Sequence, residues 1–158
     1  MSDVKNERIQ QLSEELQSSI RSVDGAPFIE LENKLRRCQK DIDQEVVDEE
    51  THLEFRRAIA GHLFRGAIRR DCSYHITKKQ FEYLISLKFK HISEKYTAVA
   101  IFAQLCVHVG KKAEAIQLFR GLREELLAIE IRDSFMKDDL KNIKVFIARI
   151  ESDSLPPF

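Results

Sequence analysis

Cys72 and His75 stand three residues apart in "CSYH", a spacing that could supply one side of a zinc site. A structural site needs four ligands, and no second Cys/His pair follows at a matching distance. His52, His62, His91 and His108 are scattered along the chain, and His62 falls within an apolar helical stretch as a core or boundary residue. Nucleophilic chemistry has no support: there is no Gly-x-Ser-x-Gly elbow, and Cys38, Cys72 and Cys106 lack a catalytic local context. The glycines are scattered and none follows a strand, so no phosphate-cradling loop is present. Glu49/Glu50 and Asp138/Asp139 are carboxylate pairs, but both are expected at helix N-termini, where the macrodipole favours negative charge. A di-metal bundle would need Glu-x-x-His motifs on facing helices, and none occurs. The expectation is a protein without catalytic residues, metal or cofactor, with a small metal-dependent enzyme as a minor alternative.

The basic middle of the chain is the stronger hint. Arg65, Arg69 and Arg70 close one predicted helix, where positive charge suits the dipole. Lys78 and Lys79 open the next one, where it does not, at a cost of about 0.3–1 kcal/mol each at a surface. Lys88, Lys90, His91 and Lys95 continue the run, with Tyr74, Tyr83 and Tyr96 interleaved as rings on which bases could stack. A nucleic acid or an acidic segment of another copy would satisfy such a patch. Against nucleic acid stands the overall balance of 26 basic and 26 acidic side chains, since dedicated binders are usually more basic. Residues 1–50 hold 7 Lys/Arg against 13 Asp/Glu, and residues 51–100 hold 10 against 4. The acidic third can therefore neutralise the basic third within the fold.

These residues must be held by helices. With five glycines and three prolines in 158 residues, the chain has too few turn formers for an all-β fold. Ile9, Leu12, Leu16, Ile20 and Val23 recur at steps of 3, 4, 4 and 3, one narrow helical stripe that either packs on a bundle or forms a short coiled-coil seam. "DGAP" ends that helix at 24–27, and Pro27 opens a second one carrying Leu31, Leu35, Cys38 and Ile42 to about Val46. Asp48 is the expected cap of a third helix bearing Phe55, Ile59, Leu63, Phe64 and Ala67, in which Gly61 and Gly66 either weaken the helix locally or let another helix approach closely. Residues 69–76 read as a loop. Thr77 and Gln80 have the capping-box spacing for a fourth helix, and Ser93 caps a fifth, nearly all apolar from Ala98 to Val109 and expected at the centre of the domain. Gly110 stops it in the left-handed conformation. A sixth helix follows from about Lys112 to Ile129 and a last one from about Phe135 to Ile150, before an extended tail in which Pro156 and Pro157 forbid a helix. "HLFRGAIRRD" at 62–71 echoes "QLFRGLREEL" at 117–126, as stacked helical pairs would.

Residues 96–129 resemble one tetratricopeptide repeat. Ala103 and Ala115 stand at its two small positions, Gly110 at its turn and Phe119 at its following aromatic. Phe102 and Cys106 stand where the family usually has Leu and Tyr, while its Trp would fall at Val99 and its closing Pro at Leu127. The resemblance implies a concave groove lined by Thr97, Ala100, Gln104, Val107 and His108. That set is less polar than a peptide-carboxylate clamp and would suit an apolar helix.

The sequence thus predicts an all-α protein of about six or seven helices in antiparallel hairpins, either a helical bundle or a stack like that of tetratricopeptide repeats. Its organisation is read as an amphipathic arm at 1–23, a helical domain at 27–152 and a tail at 153–158. The predicted function is a non-enzymatic adaptor, chaperone-like or regulatory module that binds a helix or peptide of another protein, or a second copy of itself, giving a homodimer through the first helix. The alternative is a nucleic-acid-associated regulator using Arg65 to Lys95. No apolar run reaches the ~18 residues a membrane helix needs, the first residues are polar, and the three cysteines are odd in number. A cytoplasmic protein with free thiols and no membrane partner is expected.

Overall fold

The computed structural model describes residues 2–155 and is all-α, with seven helices and no strand among those residues. Pro156 and Pro157, expected to hold the tail extended, lie outside the described residues. The helices are α1 (Ser2–Ser22), α2 (Phe28–Asp43), α3 (Glu49–Arg69), α4 (Tyr74–Ser86), α5 (Ile92–His108), α6 (Lys112–Leu127) and α7 (Ser134–Glu151). They form two compact units, residues 1–87 with α1 to α4 and residues 88–158 with α5 to α7.

In the first unit α3 is central, with α2 and α4 both packed on it and α1 packed on α2. The narrow stripe of α1 is used inside the unit. Leu12 and Leu16 are buried in one cluster with Leu31, Leu35, Ile42, Phe55, Ile59 and Leu63, and Ile9, Ile20 and Val23 pack against it. Pairing of α1 with a second copy through that stripe would require it to leave α2, exposing side chains whose burial stabilises by ~1.5–3 kcal/mol each. Arg8 pairs with Glu45, and Lys5 reaches Asp48 at 3.1 Å, so α1 is also tied to the α2–α3 link. Gly66 answers a packing need: a Cβ there would lie 2.3 Å from Cδ2 of Leu31, so that buried side chain would have to shift to admit one.

In the second unit each helix packs against the other two. The long apolar run of α5 is buried along Ala98, Val99, Phe102, Ala103 and Cys106, while Val109 at its end is exposed. Phe119 of α6 stacks on Phe146 of α7 with ring centroids 5.3 Å apart.

Several predicted boundaries move. Asp48 caps α3 as expected, accepting from the Thr51 backbone N–H at 2.7 Å. α4, by contrast, begins at Tyr74 because Ser73 caps it, accepting from Ile76 N–H at 3.3 Å. Thr77 then lies inside the helix, fully buried, and Gln80 donates across to Glu32 of α2 at 3.4 Å instead of reaching back to a cap. His91, not Ser93, caps α5: its Nδ1 accepts from the Ser93 N–H at 3.2 Å. α2 ends at Asp43, three residues before Val46. Asp138 and Asp139 fall past the first turn of α7, where Asp133 is the cap.

Three helices end in the same motif. After α3, α5 and α7 the chain passes through a left-handed residue, Asp71 (φ 50°), Gly110 (φ 84°) and Asp153 (φ 57°). The next N–H then turns back to the helix: Cys72 to Ala67, Lys111 to Cys106 and Ser154 to Arg149. Only Gly110 is legible as a stop, since aspartate adopts this conformation less readily than glycine.

Candidate functional site

A concave surface of about 770 Å³ lies in the first unit, over α3 between α2 and α4. Its floor is Ile59 and Leu63, four apart on α3, and Tyr83 of α4 forms part of one wall. The rim is cationic. Arg36 and Lys40 come from one face of α2, Arg56 from α3 one turn before Ile59, and Lys79 from α4. The helical spacing of 36, 40 and 43, of 56, 59 and 63, and of 79 and 83 brings each set to one side of its helix. Two carboxylates temper the charge: Asp43 holds Arg56 at 3.4 Å and Glu32 holds Arg36 at 3.1 Å. Lys40 and Lys79 pair with no carboxylate among the described residues. Of the predicted basic residues only Lys79 belongs to this groove. Arg36, Lys40 and Arg56 stand in charge-balanced sequence, and nothing local marks them.

The eight predicted basic residues are divided, with Arg65, Arg69, Arg70, Lys78 and Lys79 in the first unit and Lys88, Lys90 and Lys95 in the second. Arg70, Lys78 and Lys95 are among those with internal work. Arg70 donates to Ala26 O at 2.6 Å, Val23 O at 2.9 Å and Gly66 O at 3.2 Å, clamping the α1–α2 turn to the end of α3. Lys78 lies 5.6 Å from the Tyr74 ring centroid and 3.9 Å from Glu82. Lys95 donates to both carboxylate oxygens of Glu125, at 2.7 and 3.0 Å. Of the interleaved tyrosines, Tyr96 is half-buried, and burial pushes its phenol upward.

Thr97, Ala100, Gln104, Val107 and His108 share the face of α5 opposite its buried side, as 3.6-residue periodicity requires. Ala100, Gln104 and Val107 are half-buried, and Thr97 and His108 are exposed. Thr97 turns its hydroxyl back to Ser93 O at 3.2 Å.

One polar cluster escaped the sequence reading. Asp139 is buried in the second unit and accepts from the Ser93 hydroxyl at 2.9 Å, while Nε2 of His91 bonds Asp133 at 3.0 Å. Burial raises Asp139 above the usual carboxylate range, and the Ser93 hydrogen bond only partly offsets it. Ser93 donates to Asp139 and not to His91, so the Ser, His and Asp side chains are not arranged as a nucleophile, base and orienter. Cys72 and His75 are joined by no further ligand: among the described residues no group of three or more His, Cys, Asp or Glu is gathered. Burial also pushes the Cys72 thiol up, away from thiolate reactivity. All three cysteines are free. No helix among the described residues is long and apolar enough to cross a membrane.

Fold and surfaces together define an all-α protein of two helical units, the first bearing a cation-rimmed groove. No protein-family model matches the chain. No curated protein and no solved structure matches it either.

Proposed function

We propose that this chain is a non-enzymatic interaction module whose α2–α3–α4 groove takes an acidic amphipathic helix of a partner protein. The carrying observation is the pairing of an apolar floor, Ile59 and Leu63, with Lys40 and Lys79 on the rim without carboxylate partners. An apolar stripe on the partner would cover the floor, and its acidic flanks would meet the rim. Charge complementarity favours this surface over the α5 face, where Thr97, Ala100, Gln104 and Val107 carry no charge to select a partner. The tetratricopeptide-like reading of α5 and α6 remains part of the proposal, supported by full burial of Ala103 and Ala115 and by the left-handed Gly110. A protein partner is preferred to a nucleic acid because Arg70, Lys78 and Lys95 are engaged internally.

The test is fluorescence anisotropy with two labelled helical peptides of one apolar pattern, one with acidic flanks and one with basic flanks. The acidic peptide should bind, and Lys40→Glu with Lys79→Glu should weaken it by roughly tenfold or more, since like charges face each other across the rim. Equal binding of both peptides, or indifference to the double reversal, rejects the groove. Tighter binding of a DNA duplex, lost on Arg69→Glu with Lys79→Glu, would favour the nucleic-acid alternative instead.

A further inference from the structure

A second concavity of about 180 Å³ lies in the first unit and shares no residue with the groove. His62, Arg65 and Arg69 reach it from one face of α3, at positions i, i+3 and i+7. Asp24 and Gly25 of the α1–α2 turn form the opposite wall. Among the described residues none of the three cationic or titratable side chains on α3 pairs with a carboxylate, and Asp24, on the opposite wall, joins no ion pair. Arg70 also borders the site, but its guanidinium is held by two carbonyls of the turn, Val23 and Ala26, and by Gly66 O of α3. The helix dipole accounts for Arg69 in the last turn of α3; it does not account for Arg65 and His62, which lie further back. Like charges at this spacing destabilise one another. The effect is visible on the groups themselves: burial first, then Arg65 and Arg69, push His62 down, and burial followed by Arg69 pushes Arg65 down.

Two guanidiniums with no carboxylate partner among the described residues thus stand on one wall of a small cleft. We propose that His62, Arg65 and Arg69 bind a phosphate monoester dianion, the phosphoryl group of a small metabolite or of a phosphorylated side chain. Arg65 and Arg69 supply two fixed positive charges and forked donors suited to phosphate oxygens. A monoester carries about −1.5 to −2 charge near neutral pH, which matches those two charges, whereas a backbone diester carries one. The small volume admits the phosphoryl group and little of what it is attached to. His62 adds a donor that becomes fully available when the anion offsets the repulsion now acting on it.

The experiment is an NMR titration of His62 in the full chain, at constant ionic strength, with and without inorganic phosphate. Phosphate should raise the pH at which His62 titrates, and O-phosphoserine should do the same. Arg65→Gln or Arg69→Gln should each lower phosphate affinity by roughly tenfold, the loss of one charge-assisted contact. Circular dichroism confirms that each variant remains folded, and Lys137→Gln in the second unit should change nothing. Dimethyl phosphate, a monoanionic diester, should bind more weakly than inorganic phosphate. If His62 titrates identically in both buffers, if the glutamine variants respond like the parent chain, or if the diester binds as well as the monoester, the proposal is overturned. A response to O-phosphoserine as well as to inorganic phosphate supports a monoester ligand; a response to inorganic phosphate alone overturns it. None of these readouts depends on the α2–α3–α4 groove, so failure here leaves the peptide experiment untouched.

Discussion

The tetrapeptide Leu-Phe-Arg-Gly occurs once in each unit, at 63–66 on α3 and at 118–121 on α6, and the two copies diverge residue by residue. Both phenylalanines are almost fully buried, Phe64 tilted against Phe81 at 5.6 Å and Phe119 stacked on Phe146. Both arginines are exposed, but Arg120 faces Glu151 at 3.6 Å while Arg65 faces its own kind. The glycines differ most: Gly66 is buried beneath Leu31, and Gly121 has nothing within 4 Å of where a Cβ would stand. A repeated word in the sequence keeps its meaning only where both copies meet the same environment. For the large apolar residue that is so, because burying it is favourable in any core. For glycine and arginine the neighbour decides.

Breaking the shared part should have the largest effect. Phe64→Ala and Phe119→Ala should each destabilise the protein by about 3–5 kcal/mol, read from urea denaturation, because each removes a buried ring and leaves a cavity. A cost below about 1 kcal/mol at either site would mean that ring is not part of a packed core.

The glycine pair sharpens the contrast through its sign. Gly66→Ala forces Leu31, itself buried, to move and should cost about 1–3 kcal/mol by overpacking. Gly121→Ala, on an open helical face, should stabilise by about 0.5–1 kcal/mol. Thermal melts of the two variants moving in the same direction would contradict the assigned environments.

The smallest expected effect opposes one carboxylate in each unit. Asp48, the cap of α3, is held down to about 2 from 3.8 by Thr51, through its side chain and then its backbone, and by Lys5. Folding therefore releases its proton more readily, and the stability it contributes is present above the unfolded value and lost as pH falls through about 2. Asp139 is raised by burial, so its contribution is present below the unfolded value of 3.8 and lost as pH rises through the folded one. Asp139→Asn, which retains an acceptor for Ser93, should make the variant gain on the parent toward neutral pH. Asp48→Asn should lose on the parent toward neutral pH and converge with it in strong acid. Stability curves from acid to neutral pH check both, and parallel curves for the two variants would sink the distinction.

Helix count and order were legible because each helix carries its own periodic stripe and a stop. The stripe of α1, the cap at Asp48 and the turn at Gly110 could all be placed without knowing any partner helix. Caps were legible only where one good candidate stood alone. Thr77 has the capping-box spacing, but it lies inside α4 facing the core, and Ser73 caps the helix instead. His91 displaced Ser93 because the Ser93 hydroxyl is turned to Asp139, 46 residues away in sequence. Of the cationic rim only Lys79 stood out in the sequence: Arg36, Lys40, Arg56 and Lys79 share a surface only because α2 and α4 flank α3.

By itself, then, the sequence determined that this chain is helical, where most helices begin and end, and which side of each is apolar, since these depend on neighbours within a turn or two. Only the tertiary structure decided that Arg70 serves the α1–α2 turn while Arg65 and Arg69 meet no carboxylate among the described residues. Charge and hydrogen bonding are satisfied by whatever lies a few ångströms away in space, and that distance is not encoded in the spacing along any one helix.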